Sequence, residues 1–152
     1  RPLLVEVQAL AGEPHAGSPK RAVSGVNPGR VSLLLAVLEK RAGMRLSDRD
    51  VFVNVAGGVR LDEPAADLAV ALALASSALE RPLRGGLAVF GEVGLAGEVR
   101  AVDAAGRRLA EAAKFGFEGC ILPAGCAAEF PAGMRAMPVT RLSEAIRFGL
   151  EA

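Results

Sequence analysis

The segment Ala65–Leu79, AADLAVALALASSAL, has no polar side. Alanine, leucine and valine fill it, apart from Asp67 near its start and Ser76 and Ser77 near its end. A helix apolar all round belongs inside a protein, and fifteen residues are too few to span a bilayer, which takes about 20. Leu68, Val70, Leu72, Leu74 and Leu79 would each contribute about 1.5–3 kcal/mol on full burial, with small alanines between them to let neighbours approach. Such a helix predicts a compact core wrapped around it.

What precedes the helix says how it is entered. Val51, Val53 and Val55 alternate with Phe52 and Asn54, the period of a strand. Gly57 and Gly58 break that strand, and a turn carrying Arg60, Asp62 and Glu63 leads to Pro64, which suits a first helical turn. Asp62, Glu63 and Asp67 cluster where a helix dipole favours carboxylates, so capping and turn formation explain them better than acid–base chemistry. Ser76 and Ser77 read as polar residues closing a helix.

Elsewhere strands and helices alternate. Leu3–Leu10 reads as a half-buried strand, and Ala11–Pro19, with His15, as a loop. Lys20–Val26 reads as a second strand, antiparallel to the first if the loop is a long hairpin. His15 has no patterned partner and reads as a solvent-facing loop residue. Asn27 and Pro28 open a helix with Val31, Leu34, Leu35 and Leu38 on one face, ended by Gly43. Leu87–Phe90 is a strand, and Gly91, Gly94 and Gly97 make a hairpin-like turn up to Arg100. That turn is no phosphate loop, because neither GxGxxG nor GxxxxGK[ST] occurs. Asp103 is expected to cap a helix over Ala104–Phe115. Cys120–Pro123 reads as a short buried strand, 127–129 as one helical turn, Met134–Val139 as a strand, and Thr140 as the cap of a helix running to Leu150. The alternation places the chain in the α/β or α+β class.

Composition excludes several functions. The 152 residues make one domain, with 18 basic against 17 acidic residues and a net charge of +1. That balance gives no global pull toward nucleic acid. Fifteen of the cations are arginine and three lysine; arginine suits forked phosphate or carboxylate contacts, although a coding bias explains the excess better. Few Asn and Gln also fit a thermophile. Cys120, Cys126 and His15 lack zinc-site spacing, so no metal is expected. No signal peptide or transmembrane run is visible, which makes the cytoplasm the default. Beginning at Arg1 inside a strand, the chain reads as part of something longer.

Three stretches carry a resemblance: DVFVNVAGG, DEPAADLAVALALASS and FGEVGLAGEVR. With SGVNPGRVSLLLAVLEKRAG, they make the chain similar to the Lon protease-like C-terminal domain of the RadA (Sms) family of bacterial DNA repair proteins. The match runs from LLVEVQAL to the last helix. A magnesium-chelatase-like competence protein carries a related domain whose motifs match less closely. The resemblance implies an α+β fold: a mixed sheet with packed helices, Lon proteolytic-domain-like, with a ribosomal-protein-like βαβ unit and a left-handed crossover. The general handedness rule alone would give a right-handed one. It also implies one Lon protease-like domain over 1–152, the C-terminal part of a longer ATPase whose zinc finger and RecA-like core lie outside this chain.

Lon proteases carry a Gly-Pro-Ser-Ala-Gly motif at the head of this helix, with a lysine on a later one. Here the nucleophile position is Ala65 and the lysine position Gly106. A serine–lysine dyad needs both members at hydrogen-bonding distance, and Arg107 and Arg108 cannot act as the base because a guanidinium does not deprotonate. The resemblance therefore implies a protease fold without protease chemistry. No cofactor is expected in this chain; ATP, magnesium and zinc belong to the parent family.

For function the resemblance implies a non-catalytic domain that scaffolds a homo-hexameric ring and contributes DNA binding to a RecA-like ATPase. That ATPase acts in recombinational DNA repair by branch migration, alongside a RecA-type recombinase. The DNA would be single-stranded or branched, and no membrane is involved. A ring aligns six copies of a weak basic patch. Lys20, Arg21 and Arg30 are the first DNA-binding candidates and Arg60, Arg107 and Arg108 the second, each with a solvated surface role or a subunit-interface ion pair as its alternative. The lack of Trp and Tyr speaks against single-strand binding by base stacking, the six Phe being mostly assigned to the core. A pure oligomerisation scaffold and a residual Lon-type peptidase are the competing readings.

Overall fold

A computed structural model describes residues 4–126 and 129–152. The chain runs β1 (Val7–Ala11), β2 (Arg21–Ser24), α1 (Pro28–Ala42), β3 (Val51–Val55), α2 (Asp67–Leu79), β4 (Leu87–Val89), β5 (Glu92–Val93), β6 (Val99–Arg100), α3 (Ala105–Lys114), β7 (Gly119–Pro123), β8 (Arg135–Val139) and α4 (Leu142–Gly149). It is an α+β protein with four α-helices among the described residues. One sheet is mixed, in the order β1-β3-β2; a second, β4-β7-β8, is parallel; β5 and β6 form a two-stranded antiparallel ribbon.

The central helix is as buried as its composition demands. Leu68, Ala71, Leu74 and Ala75 are fully buried and Leu72 nearly so. A 3-10 turn over Pro64–Ala66 precedes α2, because proline fixes the turn's φ and has no N–H to lose. Leu79 departs from expectation. It is 39% exposed, since the helix ends there with Glu80 in the left-handed region and the last turn has left the core. Both serines bond structurally: Ser76 Oγ donates to the Arg81 carbonyl, and Ser77 Oγ accepts from the Ala11 N–H. The second of these ties β1 to α2.

β1 and β2 do not form a hairpin. β3 lies between them, antiparallel to β1 and parallel to β2. Its inward valines, Val51, Val53 and Val55, are among the most buried residues, and the central position pairs both of its edges. The connecting loop arches over the start of β3, where the Gly12 and His15 N–H groups donate to the Asp50 and Asp48 carbonyls. The Asp50 carboxylate accepts from the Lys20 N–H and from His15 Nε2, and these bonds hold it below its usual pKa.

Two expected caps differ. Asp103 does not cap α3; the residue before the helix, Ala104, has φ +57° and no side-chain cap, while the Asp103 carboxylate turns to Arg108. At α4 the roles are reversed. Glu144 reaches back so that its carboxylate accepts from the Thr140 N–H, the Thr140 hydroxyl and the Arg141 N–H. Of the turn expected at 127–129, residues 127 and 128 lie outside the described residues. Asn27 caps α1 as read, its amide oxygen accepting from the Gly29 and Arg30 N–H groups.

The packing forms two clusters. The larger joins α1, α2, α4 and the inner face of the mixed sheet; the smaller gathers Phe90, Ala105, Leu109, Cys120 and Leu122 beneath α3. Cys120 is fully buried, and burial pushes its thiol up to about 12, which keeps it unreactive.

Candidate functional site

The position where the resemblance puts a nucleophile lies in a cleft of about 530 Å³. Ala65, 5% exposed, sits at the head of α2. Val5 and Val7 of the β1 segment, Ala69 and Leu72 of α2, and Leu87 and Val89 of β4 make the walls. The only polar side chains lining it, among the described residues, are Glu6, Glu63, Arg108 and Glu111. Among the described residues that line it there is no serine, threonine, cysteine, histidine or lysine.

Arg108 is committed within this cleft. Its guanidinium donates to the Glu63 carboxylate at 3.0 Å, to the Asp103 carboxylate at 3.3 Å and to the Asp103 carbonyl at 3.0 Å. It lies 5.8 Å from the Phe90 ring centroid, within cation–π range. Gly106 stands apart: it is exposed, does not line the cleft, and a Cβ added there would meet nothing within 4 Å. A methyl group and a fixed cation offer shape and charge, not a nucleophile with a base.

The cationic candidates do not converge. Arg30 donates through Nε to Asp67 Oδ1 at 2.8 Å and through Nη2 to Asp67 Oδ2. Its Nη2 also lies 3.8 Å from Glu92. The hydrogen bond to Asp67, opposed by partial burial, raises the pKa of Arg30. Asp67 is 2% exposed and accepts additionally from the Val93 N–H, so the ion pair pins α1, α2 and β5 together. Lys20 and Arg21 are exposed at the opposite end of β2 from Arg30, with Arg21 donating to the Lys20 and Arg49 carbonyls. Arg60 pairs with Asp62 at the surface, 3.2 Å away, and Arg107 is exposed on α3.

A different cationic group surrounds the β5–β6 turn. Arg41, from the last turn of α1, donates to the Leu95 carbonyl and Arg141 to the Ala96 carbonyl. Arg100 pairs with Glu98 at 2.9 Å, while the Leu95 side chain projects 68% exposed. These three arginines are far apart in sequence, and only the packing of the turn against α1 and the start of α4 unites them. A basic last turn on α1 was the sole sequence signal.

No helix among the described residues is long and apolar enough to cross a membrane, and no group of three His, Cys, Asp or Glu among them could hold a metal ion.

The family model described as subunit ChlI of Mg-chelatase matches residues 5–125. The chain is 48% identical over 147 residues to the DNA repair protein RadA of Escherichia coli, covering 96% of this chain and 32% of that protein. It is 46% identical over 152 residues to RadA of Bacillus subtilis, covering 99% and 33%, and 45% identical over 148 residues to RadA of Mycobacterium tuberculosis, covering 97% and 31%. The chain thus spans about a third of the length of these relatives. On these matches the chain belongs to the family of the ChlI subunit of Mg-chelatase, and it is homologous to DNA repair proteins named RadA.

Proposed function

We propose that this chain is a non-catalytic domain of Lon protease-like fold that scaffolds a hexameric ring and supplies DNA contacts to a RecA-like ATPase in recombinational DNA repair. The observation that carries the non-catalytic half is the cleft at Ala65, which has no nucleophile or neutral base and whose one guanidinium is held by Glu63 and Asp103. Removing a serine nucleophile alone costs on the order of 10⁶ in rate in a serine protease, and here its partner is missing too.

The DNA-contacting half rests on the relatives' name and on exposed cations. Lys20, Arg21 and Arg107 are exposed, and Arg41, Arg100 and Arg141 gather around one turn. With a net charge of +1, a single copy binds weakly, and a ring multiplies that contact. ATP, magnesium and zinc, like a recombinase partner and work in the cytoplasm, would come with the longer protein.

Light scattering of the chain at two salt concentrations, with and without a short duplex, tests this reading. A hexamer whose DNA binding falls steeply with salt supports it. A hexamer indifferent to DNA leaves the pure scaffold, and cleavage of a peptide substrate by rigorously purified chain revives the peptidase.

A further inference from the structure

We infer that the uncovered face of the mixed sheet is a platform for single-stranded nucleic acid, with Phe52 as the ring on which a base stacks. The inference rests on the DNA-contact reading above and specifies the strand form.

One face of the β1-β3-β2 sheet packs on the core through Val51, Val53 and Val55. The strand period turns their neighbours outward. The register sets Leu10, Phe52 and Ala22 in one row and Gln8, Asn54 and Ser24 in the next. These residues line a shallow groove of about 440 Å³. Phe52 is 38% exposed and Leu10 58%, against 2% or less for the three inward valines. Ala22 and Ser24, on the edge strand, are too short to cover the ring.

The chemistry fits an unpaired base. An aromatic ring on an open sheet accepts any base by its π-face, and such stacking contributes about 1–3 kcal/mol per base. Beside it, two amides and a hydroxyl can donate to and accept from base edges, Gln8 already giving one N–H to Glu6. Lys20 is exposed just before β2, on the alternation of Ala22 and Ser24 and next to the aromatic row, where a phosphate would follow a stacked base; Arg21 shares the register of Val51 and turns to the Lys20 and Arg49 carbonyls. The carboxylates nearby are Glu6, at the far end of β1, and Asp50, already engaged by His15 and the Lys20 N–H. A duplex hides its base faces and would miss the ring. A second copy laid on this face would bury the Gln8, Asn54 and Ser24 row, which is costly unless each amide and hydroxyl finds a partner.

The chain contains no Trp and no Tyr, so Phe52→Trp installs a single fluorescent reporter on the platform. Its emission is followed while a labelled oligothymidine, or a duplex of equal length, is titrated and anisotropy records binding. The expected result is quenching that tracks oligothymidine binding, none with duplex, and roughly tenfold weaker oligothymidine binding for Phe52→Ala. Ala22→Glu, at an exposed edge position, should abolish quenching in a chain whose circular dichroism is unchanged. Binding without quenching, with Phe52→Ala as tight as the parent, overturns the platform and leaves the DNA-contact reading standing. No anisotropy change with either oligonucleotide at low salt overturns both. Emission that follows protein concentration without DNA makes the face a contact between copies and also overturns the proposal.

Discussion

The Arg30 guanidinium lies fork-to-fork on the Asp67 carboxylate, joining the first turns of α1 and α2. Asp67 is 2% exposed, whereas the Arg30 side chain keeps 34% of its surface. The two substitutions should therefore be unequal. Arg30→Ala leaves a buried carboxylate with the Val93 N–H as its remaining donor among the described residues, and stranding a buried charge costs about 3–5 kcal/mol. Asp67→Ala leaves an arginine that can turn toward water and should cost less. Urea denaturation of both, with an Arg30→Leu/Asp67→Leu double variant, reads the difference. An Arg30→Ala chain as stable as the parent would remove the pair from the framework.

The cleft predicts that a serine alone creates no peptidase. Ala65→Ser places a hydroxyl at the head of α2, but no lysine or histidine lines the cleft to take its proton. A fluorogenic peptide should remain uncut by Ala65→Ser. Turnover by this single variant, above that of the parent chain, would mean that Glu63 or Glu111 serves as a base.

Gly106 is tolerant for a separate reason. It lies in the first turn of α3 with open space around its Cα and an ordinary negative φ. Gly106→Ala should stabilise the chain by about 0.5–1 kcal/mol through helix propensity, seen as a rise in thermal midpoint. A fall would show that the close approach of something at this surface requires glycine.

Acid should loosen the connections before the core. Hydrogen bonds from backbone N–H groups hold four carboxylates below their usual pKa: Glu39 by Leu46 and Ser47, Asp50 by Lys20, Glu98 within its own turn, and Glu144 by Thr140. Because the folded values are depressed, their stabilisation is complete above the unfolded carboxylate range of about 4 and is lost as pH falls through the lower folded values. Thermal midpoints should be level above about pH 5 and decline below it. Glu39→Gln should show a shallower decline. A flat profile down to pH 3 would contradict these bonds.

Gly25 should tolerate nothing larger. Its φ is +89°, and an added Cβ would lie 2.7 Å from the Val55 Cβ and 2.8 Å from the Val59 carbonyl oxygen. Gly25→Ala should cost more than the roughly 1–2 kcal/mol of a left-handed alanine, because β3 must also shift. Urea midpoints measure it, and a loss under 1 kcal/mol would mean that β2 moves freely.

The sequence by itself determined the elements whose signal is local. The unbroken apolar run fixed α2 as the core helix, the valine alternation fixed β3, and Asn27 with Pro28 fixed the start of α1, because side-chain period and cap chemistry act over a few residues. Tertiary structure decided the rest. Only pairing could put β3 between β1 and β2, since alternation marks a strand without naming its neighbour. Only packing could convert Arg30 and Arg108 from candidate phosphate contacts into ion pairs, bring Arg41, Arg100 and Arg141 to one turn, and leave Phe52 outside the core. A charge shows its type in the sequence, but whether water, a carboxylate or a ligand answers it depends on residues that the chain brings near only when folded.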